Sequence, residues 1–583
     1  MNTEIESLFK DKVLGHPAGL FVLFFTEMWE RFSYYGMRAL LVMFFTASLL
    51  DSGWGWPREH AFAIFGTYTS LVYLSTLLGG YMADKKIGYR LAVVVGALLM
   101  TLGHACMALE VPFFIYTGLT LLVFGSGFFK PNMTSIISEM YVNRPEKKDG
   151  AYTIFYMGVN AGAFLGILLC GYLGEKVGWS WGFGVAGIFM LFGLLQFWLA
   201  QNIFGKIGLR PAKKGDLIEE ITEDGASKTN PFTPFQLALI VISAVLGLAW
   251  ILNDPVSKIS DGAYNLFNFN AFGLSGSNIV ILTALLLFIL LLFIRIPKYT
   301  NVVRDRMVAV VFFAFVTIFF WAIFEQAPSS LTIFARDYTQ RVLEGDSALI
   351  FKVVNSLMTL IPLGIITWVL WLLFKKTFSK YALSNIFLAT SFVIIWATAL
   401  WMLYTEFLKD IAEVPASWFG VLNSLFIIAM APLFSKWWES RYNPNANMKY
   451  AIGMTLLGVG MACVAIGASD IPVGAKTASV SMIWLILVYF FHTMGELCVS
   501  PVALSYVSKL VPGRMIAMMF GIWYLAVAIG MKLAGVFGEV SESIAQTEGL
   551  SYFFWLLTVI AVSLGVLSAL LYPVIKKLMH GVR

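Results

Sequence analysis

The chain has 583 residues, of which 59% are hydrophobic, 16% aromatic and only 13% charged, with a mean hydropathy of +0.79. So few charges cannot cover a water-facing surface, which excludes an ordinary soluble domain and implies a polytopic membrane protein. The formal net charge of +6 reads as a topology signal and not as a nucleic-acid footprint, because its basic residues recur in short loops between apolar runs.

Sixteen stretches each approach the roughly 20 helical residues needed to cross a hydrocarbon core of about 30 Å. They lie near 18–48, 61–83, 91–109, 112–137, 151–173, 182–203, 235–253, 277–297, 306–330, 350–374, 384–404, 416–435, 449–469, 481–507, 516–540 and 551–577. Long continuous runs exclude a transmembrane barrel, whose strands alternate over about ten residues. With Met1 cytoplasmic, basic clusters such as Lys85, Lys86 and Arg90, then Arg144, Lys147 and Lys148, then Lys375, Lys376 and Lys380, all fall on the inner side. Both termini are therefore expected in the cytoplasm of a cell whose cytoplasmic membrane the chain spans. The opening MNTEIESLFKDK carries both signs of charge, and the run after it is too long for a signal peptide, so no cleavable leader is expected.

The polar stretch after the sixth span is rich in charge, Pro and Gly and reads as a linker. The expected division is an N-terminal six-helix bundle over 1–203, a cytoplasmic linker over 204–234, an inserted helix pair over 235–297, and a C-terminal six-helix bundle over 298–583 that carries a second inserted pair at about 350–404. Cys106, Cys170, Cys463 and Cys498 all lie inside spans, where they read as small apolar residues and not as a disulfide or metal framework.

Ionisable side chains inside spans cost at least a few kcal/mol each and are functional candidates by default. Here they are Glu27, Glu30, Arg31 and Arg38 in the first span, Lys130 in the fourth, Glu325 in the ninth, Glu496 in the fourteenth and Lys532 in the fifteenth. In EMWERFSYYG (27–36) and its continuation, the offsets gather Glu27, Glu30, Arg31, Tyr34, Tyr35 and Arg38 on one helical stripe, which must face a wet cavity or opposing charge. Two carboxylates crowded beside one guanidinium can share a proton that is taken up and released. A static ion-pair network is the competing reading.

These residues also resemble a family. EMWERFSYYG is similar to the E-x-x-E-R-F-x-Y-Y-G signature of the proton-coupled oligopeptide transporters of the major facilitator superfamily. GGYMADKKIG (79–88), GSGFFKPN (125–132), FYMGVNAG (155–162), FWAIFEQ (320–326) and GELCVSP (495–501) resemble further motifs of that group. The resemblance implies an all-α, two-bundle (6+6) architecture with additional helices, and proton coupling by Glu27, Glu30, Arg31 and Glu325. It implies that Arg31 and Lys130 bind a peptide's carboxylate and Glu496 its amino end, with Tyr35, Tyr73, Asn160, Asn423, Ser500 and Trp523 lining the pocket. It further implies gating by Arg38 with Glu325; because opposite charges on the two halves can latch them, Lys130 with Glu496 is expected as a second gating pair.

The chemistry of the residues agrees, since a dipeptide zwitterion needs two fixed poles of opposite sign and adaptable walls between them. The expected function is thus import of di- and tripeptides driven by a proton gradient, with no cofactor, metal or catalytic group, since neither a P-loop nor a nucleophile set can be assembled. Membrane lipids are the other expected contacts, nucleic acid is not, and oligomeric state stays open. Transport of another small solute, such as nitrate, a drug or an amino-acid derivative, and a non-transporting receptor or assembly subunit remain the alternatives.

Three departures from the family pattern stand out. The pair at 350–404 has no counterpart in the usual bacterial arrangement, Pro328 should kink or end the outer part of its helix, and Gly66 occupies the place of the helix 2 histidine of animal members. Lys532 needs an acidic or carbonyl partner or must snorkel; snorkelling is expected, with gating or substrate choice as the other role. His492, four residues before Glu496, is expected to make a structural hydrogen bond.

Overall fold

The computed structural model describes residues 6–210, 232–510 and 516–581, with side chains left undescribed at 501–509 and 516–520. Most of the expected linker therefore lies outside the described residues. The helices are α1 Ala18–Thr46, α2 Arg58–Met82, α3 Tyr89–Met107, α4 Pro112–Met140, α5 Lys148–Lys176, α6 Trp179–Ala200, α7 Pro234–Ile259, α8 Gly276–Arg295 and α9 Asn301–Phe324. They continue as α10 Ser330–Asp337, α11 Gly345–Thr377, α12 Ala382–Phe407, α13 Val421–Glu439, α14 Ala446–Gly467, α15 Ile483–Leu510, α16 Ile516–Thr547, α17 Leu550–Leu570 and α18 Tyr572–Leu578. Among the described residues 15 helical segments are long and apolar enough to cross a membrane. With α1, whose 29 residues carry the four intramembrane charges, they form a multi-pass helical membrane protein with two six-helix bundles and added helices.

Local chemistry sets several ends. Pro112 begins α4, where a missing N–H costs nothing. A capping box begins α7: the Gln236 N–H donates to Thr233 Oγ1 at 3.3 Å and the Thr233 N–H to Gln236 Oε1 at 3.1 Å. The ninth span breaks at 325–329, between α9 and α10, because Pro328 lacks an N–H and disfavours helix at Ala327. Gln326 holds the break by donating from Nε2 to the carbonyls of Ala322 (2.9 Å) and Ala534 (3.1 Å).

In the first bundle α1 lies centrally against α5 and α6, and α3 and α4 pair beside α2. Glycines in and just after FYMGVNAG explain the α1–α5 contact: a Cβ at Gly162 would stand 2.2 Å from the Met28 carbonyl oxygen, and one at Gly166 2.2 Å from that of Phe32. In the second bundle α14 packs on α15 and α17, and α9 on α16. The bundles meet where α2 crosses α16, backbone on backbone; a Cβ at Gly66 would come 2.8 Å from the Gly535 Cα.

The inserted pairs pack differently from their order in the chain. α7 rests on α2. α12 lies on α6, with Phe392 edge-on to Phe25 and Trp29, and Ser384 Oγ donating to the Gln196 carbonyl at 2.7 Å. Thus the pair that chain order groups with the second bundle presents its second helix to the first.

Several of the ion pairs and caps that join the halves cluster at the face opposite the N-terminus, the far face. Arg58 contacts Asp337 at 2.7 Å and Glu542 at 3.0 Å, and Arg341 and Lys176 converge on Glu413. Glu175 accepts from the N–H groups of Ala416 (2.8 Å) and Ser417 (2.9 Å). The straps flanking the second inserted pair also meet here, β1 Val342–Leu343 pairing antiparallel with β2 Ala412–Glu413.

Candidate substrate and proton site

Between the bundles lies a cavity of about 340 Å³. Arg31, Tyr35, Arg38, Tyr73, Lys130, Asn160, Glu325, Asn423, Glu496, Ser500 and Trp523 all line it. Glu27 and Glu30 stand behind Arg31. The Arg31 Nε donates to Glu27 Oε1 at 2.7 Å and lies 3.3 Å from Glu30 Oε2. Glu27 Oε2 and Glu30 Oε1 are buried without a hydrogen-bond partner, so the pair of carboxylates holds more acceptor capacity than its arginine fills.

Two turns along α1, Arg38 has its partner on the other bundle. Its Nη1 lies 2.7 Å from Glu325 Oε2, and its guanidinium stacks over Tyr35 with the Cζ 4.9 Å from the ring centre. Glu325 reaches that position because the helix ends there, at the break imposed by Pro328.

The two bundles contribute poles of opposite sign. Lys130, beside Pro131 in α4, is half-buried with its Nζ enclosed, 3.9 Å above the Tyr34 ring and 5.4 Å from that of Tyr73; among the described residues it has no hydrogen-bond partner. On α15, Glu496 Oε2 accepts from Asn423 Nδ2 at 3.0 Å, and the same amide donates to Thr493 Oγ1 at 3.0 Å. The expected Lys130–Glu496 pair is therefore not made here: one group rests on aromatic faces and the other on an amide. Asn160 donates to the Tyr156 carbonyl at 2.9 Å.

One expectation changes and one holds. Lys532 does not snorkel: it is 2% exposed and donates to Asp254 on α7 and, at 3.0 Å, to Thr67 on α2, an acidic partner at hand making the reach to an interface unnecessary. His492 makes the expected structural hydrogen bond, to the backbone of Leu457, and stacks on Phe324 with centroids 5.9 Å apart, its Nε2 left without a partner.

Sequence reasoning missed Tyr156, Trp321, Tyr489 and Tyr524, which also line the cavity. Tyr489, His492, Glu496 and Ser500 follow i, i+3, i+7, i+11, so α15's face was available from spacing alone. Tyr156 stands one turn before Asn160 within a motif already singled out. Among the described residues no group of three His, Cys, Asp or Glu side chains is placed to hold a metal ion.

Comparison with known proteins agrees with this architecture. The model of the POT family matches residues 90–231 and 375–556. The peptide transporter YePEPT of Yersinia enterocolitica subsp. palearctica is 30% identical over 581 residues, covering 97% of this chain and 96% of that protein. A di-/tripeptide transporter of Lactococcus lactis subsp. cremoris is 28% identical, with 98% of each chain covered. The crystal structure of a peptide transporter POT in complex with sulfate superposes with a TM-score of 0.69 at 27% identity, covering 100% of this chain and 99% of the other. With a family match over more than half its length and a relative aligned nearly end to end, this chain belongs to the POT family.

Proposed function

We propose that the protein is a proton-coupled symporter that imports di- and tripeptides across the cytoplasmic membrane by alternating access. The observation that carries this reading is the pair of opposite poles facing one cavity, Arg31 and Lys130 on the first bundle and Glu496 with Asn423 on the second. A zwitterion with its carboxylate on one wall and its amine on the other draws the bundles together, so that binding energy acts on the equilibrium between the two open states. Tyr35, Tyr73, Tyr156 and Trp523 offer amphipathic surface that accommodates varied side chains. At about 340 Å³ the cavity lies in the small-ligand range.

Glu27, Glu30 and Arg31 form the proton-coupling cluster, and Glu325 is the acid whose protonation releases Arg38. One proton moving inward gains about 2.3 kcal/mol per 100 mV, enough for substantial accumulation. With basic loops inside, the far face is extracellular, so its ion pairs close the outer side and this conformation is inward-facing.

The test is uptake of Ala-Ala into proteoliposomes under an imposed inward proton gradient. Competition by other dipeptides, but not by free alanine or nitrate, is expected. An absence of peptide-dependent proton flux would turn the assignment to a receptor or assembly subunit.

A further inference from the structure

One cluster of enclosed charges that the coupling chemistry does not use lies on the α2–α16 seam. Lys532 projects from the middle of α16, fully enclosed, and its partners belong to the opposite side: Thr67 on α2, and Asp254 on α7, which packs on α2. Thr67 Oγ1 donates in turn to the Ile251 carbonyl of α7 at 3.1 Å, binding α7 to α2 at this level. One turn after Asp254, Lys258 contacts Asp254 at 2.6 Å and reaches Glu539 on α16. The second oxygen of Glu539 is buried without a partner. Two cations and two carboxylates thus interlock between α16 and the α2–α7 unit, over the place where Gly66 and Gly535 bring the two bundles together.

A buried cation whose partners are removed is left at high cost. Opening the far face must separate α2 from α16, because Arg58 and Glu542 tie those helices at the same end. Helix α7 has close backbone packing on α2, but it contacts α16 through long charged side chains. From this placement we infer that Lys532 is a gating residue: with Asp254, and beside Lys258 and Glu539, it forms a second inter-bundle latch that holds the far face shut, and the first inserted pair travels with the first bundle. The pair then extends the N-terminal half across the seam so that α16 has an acid to grip. The inference rests on the alternating-access reading.

Spin labels at exposed far-face positions test it without touching the network, using Glu59 on α2, Asp261 just after α7 and Gln546 on α16. Double electron–electron resonance is recorded on the full-length protein in lipid nanodiscs for three labelled pairs, with Ala-Ala and at acidic and neutral pH. The expected result is that Glu59–Gln546 and Asp261–Gln546 lengthen together while Glu59–Asp261 holds constant. Constancy of Asp261–Gln546 with a changing Glu59–Asp261 distance would show that α7 rides with α16, and would overturn the latch.

In the same labelled background Asp254→Asn should raise the ratio of far-open to far-closed protein by about tenfold, and Asp254→Lys with Lys532→Asp should return it toward the parent value. An unchanged ratio in Asp254→Asn, in protein that still binds Ala-Ala, would also overturn the inference. Proton-driven uptake by the unlabelled parent, measured alongside, separates the two claims: a parent that transports while the three distances behave otherwise refutes the latch alone, and a parent that does not transport refutes the function.

Discussion

Arg31 and Arg38 sit two turns apart on one face of α1, yet one has its carboxylates on its own helix and the other has its carboxylate on the opposite bundle. A contact within a helix survives any rigid-body movement of the halves, whereas a contact between halves must break in each cycle. Under the proposed function, the Arg31 cluster keeps its members together and changes only its proton count, while the Arg38–Glu325 pair follows which side is closed. Similar arginines on one stripe thus suit different tasks, and their partners' addresses, not their sequence motif, distinguish them.

The largest expected effect is on the first of these. Glu27→Gln or Glu30→Gln should abolish gradient-driven accumulation while peptide counterflow continues, since exchange moves no net proton. Variants that concentrate Ala-Ala as the parent does would make the cluster structural. The next effect sharpens the contrast: Arg38→Glu and Glu325→Arg should each impair uptake strongly, and the double exchange should recover more than either, which initial rates in a two-by-two cycle will read. A double variant no better than the worse single one would sink the pair as a gate.

Glu496→Gln should act on affinity more than on coupling. It should weaken peptides with a free amine by about 1.5–3 kcal/mol, the worth of a charge-assisted hydrogen bond, and leave N-acetylated ones nearly unchanged; equal losses in a competition assay would move Glu496 from the pole to the gate. The smallest effect on transport is expected from Phe392→Ala, in the neutral contact of α12 with α1. It removes no charge and spans no opening seam, so the melting temperature should fall, for a cost of about 3 kcal/mol or more, while the proton-to-peptide ratio of the folded fraction stays put.

Much of this was legible because lipid enforces long apolar runs and makes every buried charge conspicuous. The expected span 235–253 and the observed Pro234–Ile259 differ mainly at one end, and that difference hid a partner. The apolar window stopped one residue before Asp254, so the acid read as loop while its helix continued for another turn and a half. Nothing in the sequence joins Asp254 to Lys532 across 278 positions; only the crossing of α2 and α16 does. The cavity poles were readable as residue types, but the distance between Lys130 and Glu496 was not, because pairing depends on which conformation the bundles adopt. The α12–α6 contact was hidden for a different reason: a lipid-facing helix and a helix that faces another apolar helix have the same composition.

The straps around the second inserted pair set a mechanical stop. α12 is fastened to the first bundle, but the chain enters the pair from α10 and leaves it for α13, both in the second. On the entering side Gln340 is pinned by its N–H to the Val480 carbonyl at 2.8 Å, which leaves only 341–344 before α11 begins at Gly345. Four residues reach about 14 Å when fully drawn out. The far face therefore works on a short leash: its widest gape is limited by covalent chain as well as by attraction, and lengthening that leash by a few glycines would let the vestibule swing wider without altering a single charge.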